Sequence, residues 1–160
     1  MKTDFKINIV KSLIPVVLCF SACNSENEKK SFRKYQIKAV PESVVVGKNH
    51  EVVLTIKNLQ AADVWNKPEN DTSIEITYNL EVTNKNPMNG KQVFVDPSNF
   101  RLVLNNSRKI THAFYNSLGA DPQSTTVSNG NIFNLPAKTK PATLDLFFAD
   151  SVARMKIILK

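Results

Sequence analysis

Residues Ser73 to Asn84 alternate without a break: Ile74, Ile76, Tyr78, Leu80 and Val82 share one parity, and Glu75, Thr77, Asn79, Glu81 and Thr83 the other. A helix at 3.6 residues per turn would scatter those five apolar side chains around its axis. An antiparallel strand with one wet face puts all of them in a core. The rest of the chain must therefore supply flanking strands and a second apolar layer to cover this one.

The same period of two recurs along the chain. From about Phe32, the residues Tyr35, Ile37 and Ala39 alternate with Lys34, Gln36 and Lys38 until Pro41 ends the run. Ser43 to Val46 forms a short strand, and Gly47-Lys48-Asn49 is a turn signal. His50 to Asn58 places Val52, Leu54 and Ile56 on one face, with Val53 the exception on the polar face. Gln60 to Thr72 reads as a long polar connection holding Trp65 and Pro68. Beyond the turn cluster Asn86 to Gly90, strands are expected at Val93–Val95, Phe100–Leu104 and, after Asn105-Asn106-Ser107, at Lys109–Tyr115. Residues 116–131 are rich in Asn, Ser, Gly, Asp and Pro and read as loop. Ile132–Leu135 is a short strand, and Thr143–Phe148 with Ala153–Leu159 makes a last hairpin. About eight short strands, and no helix after residue 23, predict an all-β antiparallel sandwich.

Ahead of this domain stands a different kind of segment. Lys2, Lys6 and Lys11 face a single acid, Asp4, in residues 1–12. The apolar run Leu13 to Phe20 follows, and then small Ser21 and Ala22. A positive start, a short apolar centre and small residues before a cut form a secretory signal. The run is well short of the ~20 residues that a spanning helix needs. Lys11 and Pro15 also break the amphipathic pattern of a core helix. Ser21-Ala22-Cys23 resembles the lipobox of bacterial lipoproteins, with Phe20 standing where Leu is usual. The resemblance implies diacylglycerol on the Cys23 thiol and cleavage before it. It divides the chain into a signal peptide (1–22), a lipidated Cys with a flexible tether (23–31) and a sandwich domain (32–160). Acyl chains such as palmitate contribute ~0.8 kcal/mol per buried CH₂, so more than one chain anchors stably. The alternative is ordinary cleavage near Ala22, which leaves Cys23 a free thiol. Cys19 and Cys23 are the two cysteines of the chain. A mature domain beginning at Cys23 therefore has neither a disulfide framework nor a thiolate metal site.

Three further stretches carry a second resemblance. Ile76 to Asn84 resembles a long strand ending in Asn, Phe100-Arg101-Leu102-Val103-Leu104 a hairpin arm, and Leu135-Pro136 with Leu144 to Phe148 a turn and the aromatic strand after it. Together, residues from about 48 to 160 are similar to an immunoglobulin-like family of unknown function found in secreted and lipidated bacterial proteins, near the mycobacterial immunoprotective extracellular antigen. Asn105-Asn106 and Ala137 depart from the Asp-Gly and Gly usual in that family. The family has no agreed activity, so the resemblance implies an immunoglobulin-like fold and nothing catalytic.

Chemistry-bearing residues are sparse. Beyond the leader the histidines are His50 and His112, and His112 shares parity with Ile110 and Phe114, which places it toward the core. No Ser-His-Asp or Cys-His arrangement is proposable, and no glycine-rich phosphate loop exists. Glu75 and Glu81 share a strand face, but six residues separate them by ~20 Å, too far to act as an acid–base pair. Asp63, Glu69, Asn70 and Asp71 offer oxygen ligands in one stretch, at a spacing that matches no established calcium loop. Trp65, in the same stretch, is either a plug over the sandwich end or a platform for a sugar or protein partner. Neither a cofactor nor a metal is expected.

Charge is distributed unevenly. The chain carries 21 Lys and Arg against 14 Asp and Glu. Residues 23–90 balance at nine of each sign, and residues 91–160 hold nine basic against four acidic groups. Arg101, Arg108, Lys109, Lys138, Lys140, Arg154 and Lys156 are candidates for a basic surface that attracts lipid headgroups, acidic polysaccharide or an acidic protein. The alternative is a merely solubilising face. Export and the lack of aromatic interleaving argue against nucleic acid. The expectation is a cell-envelope lipoprotein, membrane-anchored through Cys23, at the outer membrane or cell surface if the host is Gram-negative. It is expected to act as a non-catalytic binding or accessory module that engages an anionic envelope component or a protein partner. The alternatives are a purely structural envelope lipoprotein and a carboxylate-dependent hydrolase.

Overall fold

The alternation of Ser73–Asn84 becomes the central strand of a two-sheet sandwich. The computed structural model describes residues 32–68 and 70–160. The expectations for the signal peptide 1–22, for Cys19 and Cys23, for the tether 23–31 and for Glu69 lie outside the described residues. The strands are β1 (Lys34–Tyr35), β2 (Ile37–Val40), β3 (Ser43–Val46), β4 (Val52–Asn66), β5 (Asp71–Asn84), β6 (Val93–Val95), β7 (Arg101–Leu104), β8 (Lys109–Ile110), β9 (Leu118–Ala120), β10 (Thr125–Asn134), β11 (Pro141–Phe148) and β12 (Ser151–Leu159). A 3₁₀ turn, Pro97–Asn99, precedes β7.

Sheet A runs β1-β4-β5-β10, with β3 also paired to β4, and sheet B runs β2-β12-β11-β7-β8. A small third sheet pairs β6 with β9. Every ladder is antiparallel. Ile76, Tyr78, Leu80 and Val82 are buried as their parity demands, with Val52, Leu54 and Ile56 beside them on β4. Leu102, Leu104, Leu144, Leu146, Met155 and Ile157 form the opposing layer from sheet B. Each fully buried Leu or Met contributes ~1.5–3 kcal/mol, so these two layers hold the sheets together.

Several expectations are corrected. The described chain has twelve strands rather than eight or nine. The run Tyr35–Ala39 is not one strand: Gln36 pairs with Lys160, and the chain changes from sheet A (β1) to sheet B (β2) at that point. Gln60–Thr72 is not a loop but the outer half of a long hairpin, paired from Gln60↔Thr77 to Asn66↔Asp71. A bulge between Lys57 and Gln60, with Asn58 at φ 50°, inserts one extra residue and reverses the parity of β4. Inward residues are even-numbered before the bulge (Leu54) and odd-numbered after it (Ala61), so the alternation is lost to the eye.

Residues 116–131 are likewise not loop. They hold β9 and most of β10, whose inward positions Thr126, Ser128 and Asn131 are polar. A second bulge, between Ser128 and Asn131, contains Gly130 at φ 73°. Only Lys109–Ile110 of the expected strand Lys109–Tyr115 pairs as a ladder, and Phe114 adds an isolated bridge to Ile132.

Candidate functional site

The outward face of sheet B is fixed by its register. Lys38 lies beside Ile158, and Val40 opens the row Val40–Lys156–Thr143–Val103–Lys109. The next rows are Arg154–Asp145–Arg101 and Val152–Phe147. Five cations therefore share a face with one acid, and that acid is neutralised. Arg154 donates from Nε to Asp145 Oδ1 at 2.6 Å and from Nη2 to Oδ2 at 2.9 Å. Asp145 is only 2% exposed, so this two-pronged contact satisfies a carboxylate that water cannot reach. The contact also raises the Arg154 pKa, chiefly through the hydrogen bond to Asp145. On the other flank, Arg101 donates from Nη1 to the carbonyls of Ser98 and Phe100 at 2.7 and 2.8 Å.

Residues 32–160 contain sixteen Lys or Arg and eleven Asp or Glu. The sheet B face, five against one, thus accounts for four of the five net charges. Outward positions of sheet A carry Lys34 and Lys57 against Glu75 and Glu81, which balance. Sequence reasoning placed Arg101, Lys109, Arg154 and Lys156 in one basic set, and the structure brings those four together. Lys38 was missed because it lies in the half of the chain where charges cancel. Its signal was the Lys34-Gln36-Lys38 parity, which becomes meaningful only once β2 is known to border β12. The remaining three sit at the adjoining end of the sandwich. Arg108 closes the β7–β8 turn, and the Lys140 carbonyl accepts from the Asn105 amide at 2.9 Å. Lys138 approaches Asp71 at 4.0 Å. Trp65 is placed not in a loop but in β4 opposite Thr72, half-buried near the hairpin tip.

The other candidates have structural occupations. Asp63 Oδ1 accepts from the Tyr35 hydroxyl at 2.8 Å, which raises the Tyr35 pKa, and Asp71 Oδ1 accepts from the Thr72 amide. Among the described residues no three His, Cys, Asp or Glu side chains gather as a metal set. A cleft of about 520 Å³ at the β4 bulge includes one carboxylate, Glu75, and another of about 610 Å³ beside Phe94 includes Glu51.

His112 faces the core, although the strand on which its parity was read ends at Ile110 and Phe114, of the same parity, is 51% exposed. The His112 ring stacks on Phe133 at 3.8 Å, and the buried Tyr78 hydroxyl lies 2.6 Å from Nε2. We assign Tyr78 as the donor and the imidazole proton to Nδ1. That nitrogen is buried and makes no hydrogen bond of good geometry. Burial pushes the His112 pKa down to about 4, and the Pro97 carbonyl offsets only part of this. Burial likewise raises the Tyr78 pKa, which keeps the hydroxyl protonated as a donor. The pair is neutral and ties the strap after β8 to sheet A.

No protein-family model, curated protein or solved structure matches this chain.

Proposed function

We propose that this chain is a non-catalytic binding module of the bacterial cell envelope, anchored through lipid on Cys23, which meets an anionic partner across the outward face of sheet B. The carrying observation is the concentration of Lys38, Arg101, Lys109, Arg154 and Lys156 on one face whose sole acid, Asp145, is already paired. The Ser21-Ala22-Cys23 lipobox supports the anchor and the envelope location. Two antiparallel sheets, with an N-terminal segment that crosses from one to the other, support reading the sandwich as immunoglobulin-like. Half-buried Trp65, at the hairpin tip, would flank the contact rather than form it. Arg108, Lys138 and Lys140 would extend the positive field at its margin.

The anchor is tested by Cys23→Ser, which should abolish fatty-acid labelling and move the protein out of the membrane fraction. Retention of both sinks the anchor. The face is tested by Lys109→Glu with Lys156→Glu, which should weaken binding to anionic envelope components. The same charge change at Lys48 and Lys57, which lie off this face, is the control. Equal losses from the two pairs would mean that net charge, not this surface, governs binding.

A further inference from the structure

The arrangement of the sheet B cations goes further than their number. They lie on neighbouring strands of one sheet. Adjacent strands are ~4.8 Å apart, so Arg154 and Arg101 are ~10 Å apart and Lys156 and Lys109 ~14 Å. At physiological ionic strength a charge is felt over ~8 Å. Cations spread this widely across a face act together only against a partner that is itself extended and flat. Apolar side chains border them on the same face: Val40, 43% exposed, on the edge strand beside Lys156, half-buried Ile158 beside Lys38, and Val152, 57% exposed, with half-buried Phe147 in the row past Arg154. Cations bordered on one face by apolar side chains suit the headgroup layer of a bilayer, where apolar groups are tolerated just below the charges. A soluble acidic polymer would offer Val40 and Val152 nothing.

The chain path agrees with such a contact. β2, which carries Lys38 and Val40, is one of the two edge strands of sheet B and the first element of that sheet in the sequence, reached from β1 of sheet A. Lys38 follows Cys23 by fifteen residues, a span of at most ~50 Å even when fully drawn out.

We propose that sheet B lies face-down on an anionic lipid surface, with Lys38, Lys109 and Lys156 among the headgroups. This deepens the binding reading above and rests on it. An acyl chain would hold the domain near the bilayer, and the basic face would set its orientation there.

The test uses the protein purified from its host's membranes and placed in vesicles of phosphatidylcholine alone or with about one-third phosphatidylglycerol. Lysines are labelled with an amine-reactive reagent and read by peptide mass spectrometry, which also reports the N-terminal modification. Lys38, Lys109 and Lys156 should label about fivefold more slowly on the anionic vesicles, the factor equivalent to ~1 kcal/mol per lysine near such a surface. Lys48, Lys57 and Lys85 should label equally on both. High salt should remove the difference. Equal labelling of all six on both vesicles, with Cys23 acylated, overturns the docking and leaves the anchor standing. Protection with an unmodified Cys23 does the reverse. Protection by added polygalacturonate but not by phosphatidylglycerol overturns the lipid surface in favour of an acidic polymer.

Discussion

Asn84 is fully buried at the end of β5, and its amide does three things. Nδ2 donates to the carbonyls of Lys91 and Ala120 at 3.0 and 2.9 Å, while Oδ1 accepts from the Asn86 amide at 2.9 Å. It therefore ties sheet A to the small β6–β9 sheet. Asn84→Asp keeps the shape but turns an oxygen toward two carbonyls. It should cost ~2–4 kcal/mol in a denaturant titration, more than Asn84→Ala. His112 gives a second residue-scale outcome. Its folded pKa, about 4, lies below the ordinary 6.5, so between those values the unfolded chain binds the extra proton. Stability should hold above pH 6.5 and fall as pH drops toward 4, by up to ~3 kcal/mol. His112→Gln, which can still accept from Tyr78, should flatten that slope in thermal melts taken across pH 4–7. The inward placement of His112 comes from its stacking on Phe133 and its bond to Tyr78 and not from strand parity, since the ladder ends at Ile110 and Phe114, of the same parity, is exposed. The role of Asn84 was visible only as the Asn that closes the long strand, because a polar side chain's partners are nowhere written in its own neighbourhood.

Elements were legible where the wet and dry faces alternate strictly and illegible where a bulge intervenes. Ile74 to Val82 declared β5, and Phe100, Leu102 and Leu104 declared β7. The outer half of β4 hid behind the inserted residue at Asn58–Leu59, which reverses parity and turns Asp63 toward Tyr35 rather than toward an apolar core. The first half of β10 hid because its inward positions, Thr126 and Ser128, are polar and small. Asn58 holds its bulge with a left-handed backbone, φ 50°, that β-branched residues resist. Asn58→Gly should leave stability within ~0.5 kcal/mol, while Asn58→Val should lose ~1–2 kcal/mol, measured by urea unfolding. Parity of loss between the two would mean that the bulge is set by its neighbours and not by Asn58.

For the whole molecule, the all-β sandwich followed from the sequence, while only four of the seven cations read as one surface share a face. The sum of charges over residues 91–160 was visible as a number. Its division between the sheet B face (Arg101, Lys109, Arg154, Lys156) and the sandwich end (Arg108, Lys138, Lys140) depends on strand order, which local pattern does not carry. The same strand order places the two ends of the described domain side by side. Gln36 and Lys160 exchange both backbone hydrogen bonds, at 3.1 and 2.8 Å, at the shared end of the antiparallel strands β2 and β12. A load drawn between Gln36 and Lys160 would therefore peel these strands apart one bond at a time, as a zipper opens. A load drawn between Gln36 and the β11–β12 turn at the opposite end would have to slide whole strands past one another. The sandwich is soft along the first line of pull and stiff along the second.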